Sequence, residues 1–266
     1  MLAPTILLIF FEQELNRNTR GLMNYTLGDY KVEENNSDIP LMVFTPTIIN
    51  DGRRMIIAPQ PYGFLNGTRF QQKSIGPENV ELIKLFSNND PMALSYLSVL
   101  RMNATFPYVL PMVSMPTTPE IAVMDAGIRD NYGTKATIRY IDAFKDWIKE
   151  NTSGIVLVEI RDIIQDYDIE NQDDISLKDK LVEPTLNFYG NFHHAQEFNA
   201  AELIEVSNKT GIPIYEISFI LRNYPKDNIS LSWHLTKREK IKIKSTFQSE
   251  KNQKELKKMI LLLKTD

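Results

Sequence analysis

The sequence predicts an α/β fold, and three observations carry that prediction. The apolar segment Ile121-Ala122-Val123-Met124, an amphipathic stretch over about residues 135–150 and the segment Ile155-Val156-Leu157-Val158-Glu159-Ile160 follow one another as strand, helix and strand. That order implies a parallel pair joined by a right-handed crossover. Ile39–Ile49 is an almost continuous apolar and β-branched run, the pattern of a strand buried on both faces. The 266 residues are 42% hydrophobic and 24% charged, enough to bury a sizeable core and consistent with one large domain or two small ones.

The elements follow in chain order. Met1–Phe11 is apolar but has no basic n-region and runs into Glu12-Gln13-Glu14 without a small-residue cleavage site, so it is no signal peptide. It is expected to be a buried helix entered through Pro4, which places the beginning of the fold elsewhere. A polar, Asn-rich connection over 31–38 leads to the Ile39–Ile49 strand, and Asn50-Asp51-Gly52 is a strong turn signal that lets Arg54–Ala58 pair back as a hairpin arm. Residues 61–79, rich in Gly, Asn and Pro, are expected as loop, and Leu82–Phe86 and Pro91–Phe106 as helices. Pro107, Pro111, Pro116 and Pro119 argue against regular structure before the next strand.

The strand at Ile121–Met124 ends at Asp125-Ala126-Gly127, and the following helix presents Ile138, Ile141, Phe144 and Ile148 on one face. Ser153-Gly154 stops that helix before the second strand, expected to be fully buried. The acidic stretch Asp162–Asp174 is a solvated loop, helical patterns occupy parts of 175–208, Gly211 caps them, and Ile214–Leu221 forms a further strand. Lysine-rich helices close the chain, and no linker divides it.

Composition removes several function classes. Thirty basic and 34 acidic side chains leave a net charge of −4, so no overall attraction to nucleic acid is expected. With no cysteine there is no disulfide, thiolate nucleophile or Cys-based metal site. No two of the 11 glycines are adjacent or one residue apart, which excludes the dinucleotide fingerprint and a Gly-rich oxyanion loop. Gly63 and Gly67, the only pair four apart, enclose Leu65, so there is neither a G-x-S-x-G elbow nor a Walker loop. His193-His194 has the wrong spacing for a helical metal chelate, and His234 precedes a helix start at Thr236.

Asp125 remains. A carboxylate at the carboxyl end of a buried strand lies where open α/β sheets place their ligand crevices, and the same position suits an aspartate that simply caps the next turn. Ser95, Ser98 and Ser114 are expected near the same face, but none sits in a strained elbow or beside a histidine.

Arg101-Met102-Asn103-Ala104-Thr105-Phe106-Pro107-Tyr108-Val109-Leu110-Pro111, followed by Ile121–Met124 and Asp125-Ala126-Gly127-Ile128-Arg129-Asp130-Asn131, resembles the second half of a patatin-like phospholipase domain. The Ile39–Ile49 strand with Asn50-Asp51-Gly52-Arg53 is similar to the strand and turn between that family's two catalytic motifs. The resemblance is clearest over residues 39–162 and implies a three-layer α/β/α sandwich, present as its second half, with 237–266 as a basic helical C-terminal segment.

The same resemblance implies a lipid acyl-ester hydrolase of the Ser–Asp dyad type, without cofactor or metal. Asp125 would be the base that takes the serine proton, with Ala126, Gly127 and Asn131 completing the motif. Ala126 stands where the family has a glycine, and the serine and oxyanion motifs are absent from this chain. The chain alone is therefore expected to be inactive, with its serine-bearing half or a second copy as partner. The alternative is a non-catalytic lipid-binding or protein-interaction module.

Without further parallel strands, Ile39–Ile49 or Ile121–Met124 would become an exposed edge. Lys237, Arg238, Lys240, Lys242, Lys244, Lys251, Lys254, Lys257, Lys258 and Lys264 alternate with Ile241, Ile243, Met259 and Ile260–Leu263, a pattern that suits either contact with an anionic membrane surface or a solvated face. A cytoplasmic protein, peripheral at a membrane, is the expectation.

Overall fold

The structure is a computed structural model that describes residues 24–66, 77–105, 112–162, 211–222 and 235–264, together with Gln13, Asn16, Arg17, Thr19, Gly21, Gln196 and Ile229. The expected helices at Met1–Phe11 and within 175–208 lie outside the described residues, as do His193, His194 and His234. The chain forms two compact units, Met1–Ala143 and Phe144–Asp266. Their boundary falls inside a continuous helix, so there is no linker to find in the sequence.

The first unit is built on a mixed five-stranded sheet. Helix α1 (Leu27–Asn35) starts at a capping box, in which the Thr26 hydroxyl accepts the Asp29 amide and the Asp29 carboxylate accepts the Thr26 amide. This corrects the reading of 31–38 as a connection over residues 31–35, where the cap and one buried leucine outweigh the poor apolar periodicity, and leaves a connection from Asn36. The expected hairpin forms, but the strand expected over Ile39–Ile49 is reduced to β1 (Thr47–Ile48) with an isolated bridge at Phe44, and β2 (Arg54–Ile56) is the second arm, with Thr47 opposite Arg54 and Gly52 at φ +74° in the turn. The Asn50 side chain extends the pairing, accepting from Ala122 N at 2.8 Å and donating to Glu120 O at 2.9 Å.

β2 runs parallel to β3 (Asn79–Glu81), which leads directly into α2 (Leu82–Leu85). Helix α3 (Tyr96–Ala104) begins at Ser95, whose hydroxyl accepts the Ser98 amide. β4 (Val113–Met115) and β5 (Ile121–Met124) pair antiparallel, and β5 pairs antiparallel with β1, giving the order β3-β2-β1-β5-β4. A strand thus forms before Pro116, where none was expected: it is three residues at an edge of the described sheet, and Pro116 follows its last residue, where it costs no ladder bond.

The alternating side chains of β2 and its continuation place Met55 and Ile57 in one apolar cluster and Ile56 and Ala58 in another, so the sheet is buried on both faces. Ile48, Val99, Met102 and Val123 join the first cluster. Helix α4 (Gly127–Asp130) follows β5, and α5 (Thr134–Asn151) follows in turn, as the periodicity predicts.

Two expectations about edges and partners fail for one reason. β1 and β5 are interior strands, so neither is an exposed edge. Because β1 and β4 occupy both edges of β5, the parallel pair expected between Ile121–Met124 and Ile155–Ile160 does not form. Instead, in the second unit, β6 (Ile155–Arg161) pairs in parallel with β7 (Ile214–Ile220), in register from Ile155 opposite Ile214 to Arg161 opposite Ile220.

Helices α6 (Lys237–Phe247) and α7 (Glu250–Leu262) pack on β7. β6 is not fully buried: Val158 and Ile160 are 44% and 69% exposed, since these helices cover the neighbouring strand. The side chain of fully buried Asn252 joins the three elements: Oδ1 accepts from Ile220 N at 2.9 Å, and Nδ2 donates to Ile220 O and Thr246 O, each at 2.9 Å. Mixed strands and helices bear out the α/β class. Among the described residues no helix is long and apolar enough to cross a membrane.

Candidate functional site

β5 delivers Asp125 to the start of α4, and the surrounding backbone holds it there. The Asp125 amide donates to Thr105 O at 3.0 Å and the Ala126 amide to Asn103 O at 3.1 Å, so the carboxyl end of α3 fastens both residues. The Thr47 hydroxyl donates to Asp125 O at 2.9 Å, and Asn103 Oδ1 accepts the Thr45 amide at 3.0 Å, tying in the approach to the hairpin. The half-buried Asp125 carboxylate accepts the Gly127 amide at 2.5 Å through Oδ1, the contact by which an aspartate caps its own turn.

Gly127 is required by close approach. A Cβ there would lie 2.7 Å from both Asp125 Oδ1 and Asn131 Oδ1. Asp125, Gly127 and Asn131, three of the residues picked out from the sequence, therefore converge at one point. Ala126 contributes its αR backbone and the amide to Asn103.

The serines do not join them. Ser95 and Ser98 lie toward the opposite end of α3 from Asn103, about 12 and about 8 Å along the axis at about 1.5 Å per residue. Ser114 sits opposite Ala122, three residues or about 10 Å of strand before Asp125, and its hydroxyl donates to Glu120 Oε1 at 2.6 Å. The expectation that these hydroxyls share the Asp125 face is thereby corrected, because the helix axis and the strand both carry them away from it.

Beside this turn lies a charge network that sequence reasoning did not assign. Arg54 is buried on β2; its Nη1 donates to Asp130 Oδ2 at 3.0 Å, its Nε to Asn79 Oδ1 at 2.9 Å, and its Nη2 lies 3.7 Å from Glu78 Oε1. Arg129 reaches Glu78 Oε1 at 2.6 Å and Arg139 pairs with Glu78 Oε2. Asp130 also accepts the Lys135 and Ala136 amides at the start of α5.

Desolvation lowers the pKa of Arg54, although Glu78 and Asp130 oppose the shift. Burial alone would raise Glu78, but the hydrogen bond and charge of Arg139, with the charges of Arg54 and Arg129, outweigh it and hold Glu78 below the ordinary carboxylate value. The signal in the sequence was an arginine set directly against Met55-Ile56-Ile57, since a charge beside a run buried on both faces demands a partner. Among the described residues no three His, Asp or Glu side chains gather in a way that could hold a metal ion. Compared with protein-family models, with curated proteins and with solved structures, the chain matches none.

Proposed function

We propose that this chain is a non-catalytic binding module, in which Asp125 is a turn-capping residue and not a general base. The observation that supports this reading is the bond from the Gly127 amide to Asp125 Oδ1, which gives the carboxylate a structural task at the start of α4. The three serines weighed as nucleophiles have tasks of their own, as a helix cap at Ser95, its neighbour Ser98 and a partner of Glu120 at Ser114.

A second reading, the patatin-like lipid acyl hydrolase with Asp125 as dyad base, is favoured by the meeting of Asp125, Gly127 and Asn131 beyond the end of β5. It requires a nucleophile and oxyanion donors from outside the described residues.

Because the hydrolase reading expects the chain alone to be inactive, hydrolysis of p-nitrophenyl butyrate by the chain mixed with a serine-bearing patatin-like half, and by Asp125→Asn in the same mixture, separates the two, the half alone giving the background. The binding-module reading expects no turnover above background from either mixture. Turnover by the parent that Asp125→Asn abolishes would establish the hydrolase, since loss of a general base costs about 10²- to 10⁴-fold.

A further inference from the structure

Charge in this chain is divided along its length. Residues 237–264 carry ten Lys or Arg and three Glu, a net charge of +7, whereas residues 1–236 carry 20 basic and 30 acidic side chains, a net charge of −10. The basic segment is α6 and α7 with their caps, so the cations are held on two ordered helices.

One side of this hairpin is committed to the fold. Asn252 and Thr246 are buried, Asn252 bonds to Ile220, and the Phe247 ring lies 5.9 Å from that of Phe219 on β7. Aliphatic side chains nevertheless stand in solvent: Ile241 is 57% exposed, Leu261 68% and Leu263 66%. Lys237, Ile241 and Lys244 follow at spacings of four and three on α6, and Lys257 and Leu261 repeat the spacing of four on α7, with Lys264 in the turn just past its end at Leu262. Residues at these spacings share a helical face, so exposed Ile241 sits between two lysines on α6 and exposed Leu261 beside Lys257 on α7. No ion pair among the described residues engages Lys237, Lys244, Lys257 or Lys264.

We infer that the α6–α7 hairpin docks on the surface of an anionic lipid bilayer, with Ile241 and Leu261 entering the headgroup boundary and the flanking lysines meeting lipid phosphates and carboxylates. The inference deepens the binding-module reading and rests on it. Lysines around an aliphatic centre suit a bilayer, where the apolar group leaves water while each ammonium stays at the headgroup level. A nucleic-acid backbone offers no place to bury leucine, and its phosphates are matched better by arginine, which supplies one of the ten cations. The acidic remainder of the chain is repelled by such a surface, so the hairpin is the part that approaches.

Flotation of the full chain with vesicles tests this. The expected result is binding to vesicles of 30% phosphatidylserine in phosphatidylcholine at 0.1 M NaCl, none to pure phosphatidylcholine, and release at 0.5 M NaCl. Replacing Lys237, Lys244, Lys257 and Lys264 by Gln is expected to weaken binding more than about 100-fold, at about fivefold per lysine. Ile241→Ser with Leu261→Ser, which leaves the charge unchanged, is expected to weaken it about tenfold or more. All substituted side chains are exposed, and an unchanged thermal melt shows that each variant is folded.

Equal binding to both vesicle types, no binding to either, or full binding by Ile241→Ser/Leu261→Ser overturns the inference. So does salt-sensitive self-association that the lysine variant abolishes without vesicle binding by the parent, which would make the acidic body of a second copy the occupant. Absence of vesicle binding together with absence of esterase activity defeats the membrane inference alone. Asp125-dependent ester turnover defeats the binding-module reading whatever the vesicles show.

Discussion

Arg54 and Asp130 meet through a 3.0 Å bond between two side chains that are almost wholly buried, Arg54 being 1% and Asp130 7% exposed. This contact links β2 to the residue that ends α4, and so ties the hairpin to the Asp125 turn. Removing one partner of such a pair strands the other charge in a low-dielectric interior. Arg54→Met is therefore expected to destabilise the first unit by about 3–5 kcal/mol. Asp130→Asn should cost less, because Asn strands no charge of its own and retains one oxygen, for the Lys135 amide that Oδ1 accepts or the Ala136 amide that Oδ2 accepts. In a urea-denaturation cycle the double variant is expected to cost clearly less than the two single changes together. Simple additivity would show that the bond carries no coupling.

Glu78 and Glu34 predict pH effects of opposite sign. Arg139, Arg54 and Arg129 overcome the burial of Glu78 and leave its pKa below the ordinary value of 4.5. The stability it contributes is present above about 4.5 and is lost as pH falls through the depressed value. Glu34 is raised, chiefly by burial, which outweighs the amides of Met42 and Gln60. Its charge opposes folding above the raised value, and that cost disappears as pH falls toward 4.5. Glu78→Gln should thus be less stable than the parent at pH 7, with the gap closing in acid. Glu34→Gln should equal or exceed the parent at pH 7, and its advantage should close in the same direction. Thermal melts between pH 3.5 and 7.5 measure both gaps, and gaps independent of pH would refute the assignments.

Gly127→Ala tests the convergence at the turn. The added methyl group would stand 2.7 Å from the Asp125 and Asn131 side-chain oxygens, and Asp125 cannot withdraw without releasing the Gly127 amide. A loss of about 1–3 kcal/mol is expected, as for overpacking elsewhere. Asn131→Ala in the same background should recover part of it, because one of the two collisions is then gone. No recovery in chemical denaturation would mean that Asn131 does not crowd this position.

What the sequence made legible follows from where apolar side chains dominate. Val123, Ile48 and Met55 mark β5 and both arms of the hairpin, and Asn50-Asp51-Gly52 marks its turn, because burial and turn chemistry are local properties. β3 was hidden because Asn79 and Glu81, both buried, are polar residues: one accepts from Arg54, the other from the Tyr62 amide at 3.0 Å. Pairing was not legible either. The β5–α5–β6 order suggested a parallel neighbour for β5, yet both of its edges are filled antiparallel by β1 and β4, a choice made by contacts distant in sequence. At the site, position alone leaves Asp125 open between base and cap, and the Gly127 amide bond that supports the cap is a contact no residue pattern announces.

Asn252 carries the last prediction. Its amide satisfies both backbone groups of Ile220 at the end of β7 and the Thr246 carbonyl at the end of α6, replacing a strand neighbour and a helix cap with one side chain. Asn252→Leu fills a similar volume but offers no polar atom, so three buried backbone groups lose their partner. Each stranded group costs about 1–3 kcal/mol, less whatever water or relaxation recovers, and a net loss of at least about 3 kcal/mol is expected. Asn252→Asp in its protonated form, measured in mild acid, should fall between the parent and Leu, because it keeps the acceptor for Ile220 N and one of the two donors to Ile220 O and Thr246 O, without stranding a buried charge. Hydrogen exchange gives a local readout: the Ile220 amide should lose protection in Asn252→Leu and keep most of it in Asn252→Asp. Equal protection in the two variants would show that the Asn252 oxygen does not hold the strand end.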